Sequence, residues 1–229
     1  MKTPMPDRQC RVIALASAKG GTGKTTLTAC LAVEAAKSGR VVMIDADPQQ
    51  SLTLWHRARL ANDDEGENPG LMRAGTEPLA EKVELLRKAG ADWVLIDLPP
   101  GDVDLLEAGI AAADYIVIPI RASSLDVQAI GPTTDLCSDY VRPFGIVTNA
   151  VEPSWKISST VAPFCKAAAL HLLKATVTQR QAYTGAMVAG ATGPEYHDAR
   201  QAKVCATEIK VLWDEIRAEV LALCPSNNS

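Results

Sequence analysis

Two lysines, three glycines and three threonines follow one another in Lys19-Gly20-Gly21-Thr22-Gly23-Lys24-Thr25-Thr26, the densest set of chemically useful residues in the chain. The run sits between an apolar segment and a helix-like one. A loop so placed aims successive backbone N–H groups at a helix N-terminus, where the helix dipole also favours an anion. Gly20, Gly21 and Gly23 let the backbone approach phosphate oxygens with no Cβ in the way, and Thr22 and Thr26 complete the cradle. Lys24 then reaches the β- and γ-phosphates, and the Thr25 hydroxyl ligates Mg²⁺. This chemistry is that of a nucleoside triphosphate site.

Two further segments place carboxylates after apolar runs. Val41-Val42-Met43-Ile44 leads into Asp45-Ala46-Asp47-Pro48-Gln49, and Trp93-Val94-Leu95-Ile96 leads into Asp97, followed by Leu98-Pro99-Pro100-Gly101. A carboxylate at the carboxyl end of a strand can orient a water for in-line attack or hold magnesium-bound water. Asp97 is expected close to Mg²⁺, with Pro-Pro-Gly stiffening a loop that senses the γ-phosphate.

The elements that must hold these residues alternate. Nearly continuous apolar runs, rich in Val and Ile, predict strands at Val12–Ser17, Arg40–Ile44, Trp93–Asp97, Tyr115–Ile120, Gly145–Thr148 and Leu172–Val177. Such runs suit strands covered on both faces. Helices are predicted at Lys24–Ser38, Pro78–Ala89, Val103–Ala112, Leu125–Tyr140, Ser158–Ala169 and Asp198–Leu221. The alternation implies an α/β fold: a three-layer, doubly wound, mostly parallel sheet with ligands at the carboxyl ends of the strands. The polar, acidic stretch Asn62–Gly75 reads as a surface loop, and Gly185 to Tyr196 as irregular.

Composition narrows the function classes. With 229 residues, 47% hydrophobic and 22% charged, the chain is neither disordered nor collagen-like. Aromatic residues at 4% exclude an aromatic-rich stacking surface for single strands. The net charge of −4 hides an asymmetry: residues 1–140 hold 14 Lys/Arg and 20 Asp/Glu (−6), whereas residues 141–229 hold 9 and 7 (+2). A mildly basic C-terminal third permits a polyanion-binding face. The six cysteines are scattered without a C-x-x-C pair, and the first residues lack an apolar signal region. Both features point to reduced thiols in the cytoplasm. No apolar run approaches the roughly 18 to 20 residues of a membrane span.

Position 18 is Ala where the ordinary G-x-x-x-x-G-K-[ST] pattern has Gly, and Lys19 opens the loop instead. The pattern KGGxGKT[ST] resembles the deviant Walker A box of ParA/MinD-type ATPases. Asp45-Ala46-Asp47-Pro48-Gln49 is similar to that family's DxDPQ segment, and Asp97-Leu98-Pro99-Pro100 to its Walker B strand and D-x-P-P switch. The resemblance implies an Mg²⁺-dependent ATPase in which Lys19 reaches the partner's nucleotide across an ATP sandwich homodimer. By the same analogy Asp47 serves the attacking water, Asp45 supports the magnesium shell, and Asn149 contacts the base. Pro119–Asp126 resembles a segment that forms the nucleotide rim and dimer face.

The chain looks most like small ParA proteins of the ParF type, and Thr178-Gln179-Arg180-Gln181-Ala182-Tyr183 is similar to a segment found in them. The resemblance implies one P-loop ATPase domain over residues 1–229, with no N-terminal helix-turn-helix domain. It further implies non-specific, nucleoid-associated DNA binding by the ATP dimer, a ParB- or ParG-like centromere-binding adaptor, and plasmid or chromosome segregation. Lys166, Lys174, Arg180, Arg200, Lys203 and Lys210 are the candidate DNA contacts. One alternative is an ATPase that positions a protein cargo, such as a chemoreceptor cluster or microcompartment. A MinD-like factor is disfavoured by Pro225 and by Asp214, Glu215 and Glu219 near a terminus that would have to bind anionic lipid. A ligase of the dethiobiotin-synthetase type is opposed by Lys19 and the DPQ segment.

Overall fold

The computed structural model describes residues 10–62, 68–121, 126–127, 129–152 and 161–223. Seven strands form its centre: β1 (Arg11–Leu15), β2 (Val41–Asp45), β3 (Gly70–Arg73), β4 (Trp93–Asp97), β5 (Tyr115–Ile120), β6 (Phe144–Val151) and β7 (Leu172–Thr178). They lie in the order β3-β2-β4-β1-β5-β6-β7, and every pairing is parallel. Successive side chains on a strand face opposite layers. Val12, Ala14, Val94, Ile96, Ile116 and Ile118 therefore line one core. Their neighbours Ile13, Leu15, Leu95 and Val117 line the other.

The first core is closed by α3 (Leu79–Lys88), α4 (Val103–Ala112), α5 (Gly131–Asp139) and α6 (Val161–Ala167), through Val83, Leu106, Cys137 and Val161. The second is closed by α1 (Lys24–Ala36), α2 (Ser51–Asn62), α7 (Gln181–Met187) and α8 (Ala199–Ala222). Leu27, Leu52, Tyr183 and Ile209 are their contributions. Both faces of the sheet are buried, so the expected three-layer, doubly wound architecture holds, with all strands parallel rather than most. Strand order reverses direction about β1, between β4 and β5. That reversal opens a crevice at the carboxyl ends of the strands.

Edge strand β7 is covered from α8. Glu215 accepts hydrogen bonds from the Lys174 and Ala175 amides, both at 2.8 Å, and Glu208 accepts from the Thr178 hydroxyl at 2.6 Å. With Glu215 on two backbone amides of β7, those donors are not available to a further strand.

Several predicted boundaries shift. Part of the stretch expected as a loop, Asn62–Gly75, is strand β3, which pairs with β2 from Val42↔Gly70 to Asp45↔Arg73. Asn62 itself ends α2. Helix α2 was not expected, although Leu52 and Trp55 bury one side of it. The predicted helix Leu125–Tyr140 is α5 from Gly131, with Pro132 in its first turn, plus helical residues 126–127. Leu125 lies outside the described residues, as does Ser158 at the start of the predicted Ser158–Ala169. Strand β6 runs past Thr148 to Val151, so Asn149 lies within the strand rather than after it. Among the described residues no helix is long and apolar enough to cross a membrane.

Candidate nucleotide-binding site

The glycine run joins β1 to α1. Two of its residues have left-handed backbones, Gly21 at φ 73° and Gly23 at φ 93°. At Gly23 a Cβ would lie 2.2 Å from Asn149 Nδ2, so neither the backbone nor the space admits a side chain. The loop is anchored by the Ala18 amide, which donates to Thr133 Oγ1 at 3.2 Å. Lys24 folds back under the loop and donates to the Ser17 carbonyl at 3.2 Å and the Lys19 carbonyl at 3.4 Å. Only 6% of Lys24 is exposed. That burial holds its ammonium below the ordinary lysine range, against the opposing pull of Asp97 and Asp47.

Sheet register brings the carboxylates together. Asp97 lies beside Leu15 of β1 and Asp45 of β2. Thr25 Oγ1 donates to Asp97 Oδ2 at 2.7 Å, while Asp97 Oδ1 is buried with no hydrogen-bond partner. Burial pushes the Asp97 carboxyl up from 3.8 to about 7; the Thr25 hydroxyl opposes the shift, and the Asp45 and Asp47 carboxylates add to it. Asp45 is occupied differently: its Oδ2 accepts from the Thr53 amide at 2.8 Å and hydroxyl at 2.6 Å, tying down the first turn of α2. Asp47 is half-buried, and its Oδ1 accepts from the Gln49 amide at 2.8 Å.

An orphaned buried carboxylate oxygen beside a threonine hydroxyl fits a hard cation with oxygen ligands. Thr25 and Asp97 are the residues that would hold Mg²⁺, with Asp45 second in line because Thr53 already engages it. An Mg²⁺ ion held by these residues would supply charge neutralisation to a bound triphosphate.

Asp97→Asn tests the electrostatics. The folded state keeps the Asp97 proton up to about pH 7, whereas the unfolded chain releases it near 3.8. Across that window the folded state binds more protons, so its stability falls as pH rises and stays lowered above the window. The neutral amide removes this burden. The expected result at pH 8 is a higher unfolding midpoint for the nucleotide-free variant, by about 2–4 °C for each kcal/mol recovered. The gain shrinks toward pH 5, and the difference in ATP affinity between Mg²⁺ and EDTA disappears. Calorimetry and a fluorescent ATP analogue read the two effects.

Above these residues lies a cavity of about 660 Å³ whose walls include Gly21, Lys24, Thr25, Asp47, Asn149 and Arg180. It extends between α2 and α7, where Leu54 and Val188 form exposed apolar lips. Gly23 and Thr26 also line it. A Cβ at Gly20 would lie 3.8 Å from Pro100 of the Pro-Pro-Gly loop. Asn149 reaches the cavity, but its Nδ2 donates to the Thr22 carbonyl at 2.7 Å, so the amide expected against the base braces the loop. The Thr22 hydroxyl is buried without a partner.

Lys19 is not among the residues lining the cavity. Its ammonium pairs within the same chain with Asp126, while 44% of the side chain stays exposed. Arg121, at the end of β5, received no individual role from the sequence. It lines the cavity and its Nε donates to the Gly21 carbonyl at 3.1 Å. A lone arginine beyond an apolar run carries no spacing signal; only the fold brings it to the loop.

Residues 13–192 match the CobQ/CobB/MinD/ParA nucleotide binding domain. The chain belongs to this family. Among curated relatives of this ParA/MinD-type ATPase, the Maintenance of carboxysome distribution protein A of Halothiobacillus neapolitanus is 25% identical over 218 residues. That match covers 93% of this chain and 99% of the relative. The chromosome-partitioning ATPase Soj of Thermus thermophilus is 34% identical over 146 residues, 52% of this chain and 58% of Soj. Among solved structures, the septum site-determining protein MinD of Pyrococcus horikoshii, complexed with Mg-ADP, superposes with a TM-score of 0.70 at 16% identity. It covers 94% of this chain and 99% of that one, a likeness of fold.

The six expected DNA contacts of this family member do not share one face. Lys166 is on α6, in the layer opposite α8; Lys174 is on edge strand β7. Arg180 sits in the cavity wall, 3.6 Å from Glu208. Arg200, Lys203 and Lys210 are exposed along α8 at spacings that put them on one side, where Lys210 pairs with Asp214 at 2.5 Å.

Proposed function

We propose that the protein is a ParA-type, Mg²⁺-dependent ATPase that closes into a homodimer on ATP, holds DNA without sequence preference in that state, and releases it after partner-stimulated hydrolysis. Division of labour between two lysines supports this reading. Lys24 is buried beneath the loop, where a triphosphate would meet it, while Lys19 stands outside the cavity and half-exposed. A lysine in that place serves a second protomer better than its own. Occupancy then shifts the dimer population because ATP, and not ADP, favours the closed pair.

The α8 stripe of Arg200, Lys203 and Lys210 is the DNA face that the fold favours, with Lys166, Lys174 and Arg180 set apart from it. A centromere-binding adaptor is the stimulating partner in a segregation role. The match to a carboxysome-distribution protein along 99% of that relative's length favours a second reading, in which the same cycle positions a protein cargo. Both readings share the ATP-dependent DNA step and differ in what the partner carries.

Co-sedimentation with random-sequence duplex DNA across a salt series tests the shared step. Retention is expected with ATP and not with ADP. The slope of log affinity against log salt should fall by about 0.9 for each phosphate neutralised, or nearly 3 per protomer from the α8 trio. Lys19→Ala should keep ATP affinity within about twofold, because removing a group outside the cavity removes no charge-assisted bond to the cis phosphates. It should also lose ATP-dependent dimerisation by light scattering and retention on DNA. Equal retention with ATP and ADP, or an Lys19→Ala variant that still dimerises, would sink the switch.

A further inference from the structure

A P-loop binds phosphate through its peptide N–H groups, so the direction of each peptide plane decides the strength of the site. In a trans peptide the C=O and the following N–H point opposite ways. A donor that ties down the carbonyl therefore aims the amide. Two successive planes of this loop are held in that manner by side chains from neighbouring strand ends. Arg121 Nε, from the end of β5, donates to the Gly21 carbonyl at 3.1 Å and so fixes the Gly21–Thr22 plane. Asn149 Nδ2, from β6, donates to the Thr22 carbonyl at 2.7 Å and fixes the Thr22–Gly23 plane.

These planes lie between the two left-handed glycines, Gly21 and Gly23, which have the least conformational restraint of their own. Hydrogen bonds in series also polarise one another, so a donor on the carbonyl makes the N–H of the same peptide a stronger donor. Asn149 is buried and neutral. Arg121 is exposed and charged, and its Nη1 and Nη2 make no hydrogen bond among the described residues.

We infer that Arg121 is a positioning residue for the nucleotide's β-phosphate. It holds the Gly21–Thr22 peptide with its N–H turned to the anion, and it adds a positive charge beside that peptide at the cavity wall. Asn149 does the same for the next peptide without the charge. The inference rests on the site being one for nucleotide phosphates. It adds a cation that acts through the backbone, distinct from Lys24, which touches the anion, and from Lys19, which faces outward.

The test compares wild type, Arg121→Ala and Arg121→Lys, using competition binding of AMP, ADP and ATP, hydrogen exchange of residues 19–24 without nucleotide, and thermal unfolding. Arg121→Ala should weaken ADP and ATP alike by about tenfold, the scale of one charge-assisted hydrogen bond, and leave AMP unchanged. Exchange in the loop should quicken while the unfolding midpoint holds. Arg121→Lys, which keeps a charged donor, should restore ADP affinity to within about threefold of wild type. Unchanged ADP affinity in Arg121→Ala overturns the inference. So does an equal loss for AMP, which has no β-phosphate, or a loss explained by a lowered midpoint. Wild-type protein that binds neither ADP nor ATP would instead overturn the nucleotide reading itself.

Discussion

Lys24→Ala is expected to lower ATP affinity at least about a hundredfold, and ADP affinity by less, since ADP offers the ammonium no γ-phosphate. The ammonium is buried, and its only acceptors among the described residues are the carbonyls of Ser17 and Lys19. Two carbonyl dipoles and the nearby Asp97 and Asp47 do not make up for the lost hydration, so burial still depresses the lysine's pKa. An arriving triphosphate supplies the missing counter-charge in a site already shielded from water. Two charge-assisted bonds of about 1.5–3 kcal/mol each correspond to a hundredfold or more in affinity. The unfolding midpoint of the nucleotide-free variant should change little, because the cost of burying the ammonium offsets its two carbonyl bonds and the pull of Asp97 and Asp47. Titration calorimetry reads the affinity; a variant within about threefold of wild type would remove Lys24 from the phosphate contacts. Arginine should not rescue, since its planar fork does not fit the place of a compact ammonium folded against two carbonyls.

What the sequence made legible follows from which interactions are local. The central strands β1, β4 and β5 are buried on both faces, so their residues form unbroken apolar runs that stand out in the chain. Strand β3 has only four residues, begins with Gly70 and is partly exposed, and its strand character comes from pairing with β2. Nothing between Asn62 and Gly75 announces that pairing. Helix α2 carried a usable signal, since Leu52, Trp55 and His56 recur at helical spacing, but Arg57, Arg59 and the polar segment 47–50 before it dilute the apolar pattern.

The same division holds at the site. Lys19 through Thr26, Asp47 and Asp97 are readable because contiguous motifs carry them. The engagement of Asp45 by Thr53, of Asn149 by the Thr22 carbonyl, of Lys19 by Asp126 and of Gly21 by Arg121 spans separations of 8 to 127 residues. Such partners depend on sheet order, and an order in which β1 lies between β4 and β5 is not written in any one segment. The basic residues of the C-terminal third show the cost of reading charge without position: one of the six, Arg180, belongs to the cavity wall.

Asp47→Ala is expected to separate binding from hydrolysis. Asp45 and Asp47 lie two residues apart, yet the fold gives them different surroundings. Asp45 is buried and both its oxygens accept backbone or hydroxyl donors, including the Asp47 amide at 3.2 Å. Asp47 is half-buried, accepts one backbone amide, and lines both the nucleotide cavity and the adjoining space beside Pro99–Asp104. A general base needs an acceptor oxygen open to water and substrate; of the two, Asp47 is the one we expect to supply it, since it lines the cavity and accepts a single backbone amide.

Its charge also lies near Lys24 and Asp97, where it would feel the γ-phosphate and the metal. Removing it should leave ATP affinity within a few-fold of wild type, because Lys24, Thr25 and the loop amides remain. Turnover should fall by about 10²–10⁴, the usual contribution of a positioned base. The variant should therefore accumulate as an ATP-bound species that stays on DNA at salt concentrations where the wild type releases with time. Phosphate release and DNA retention, followed together, check both halves. Normal turnover would exclude Asp47 from the chemical step. Lost turnover with equally lost ATP binding would assign it to the cradle instead.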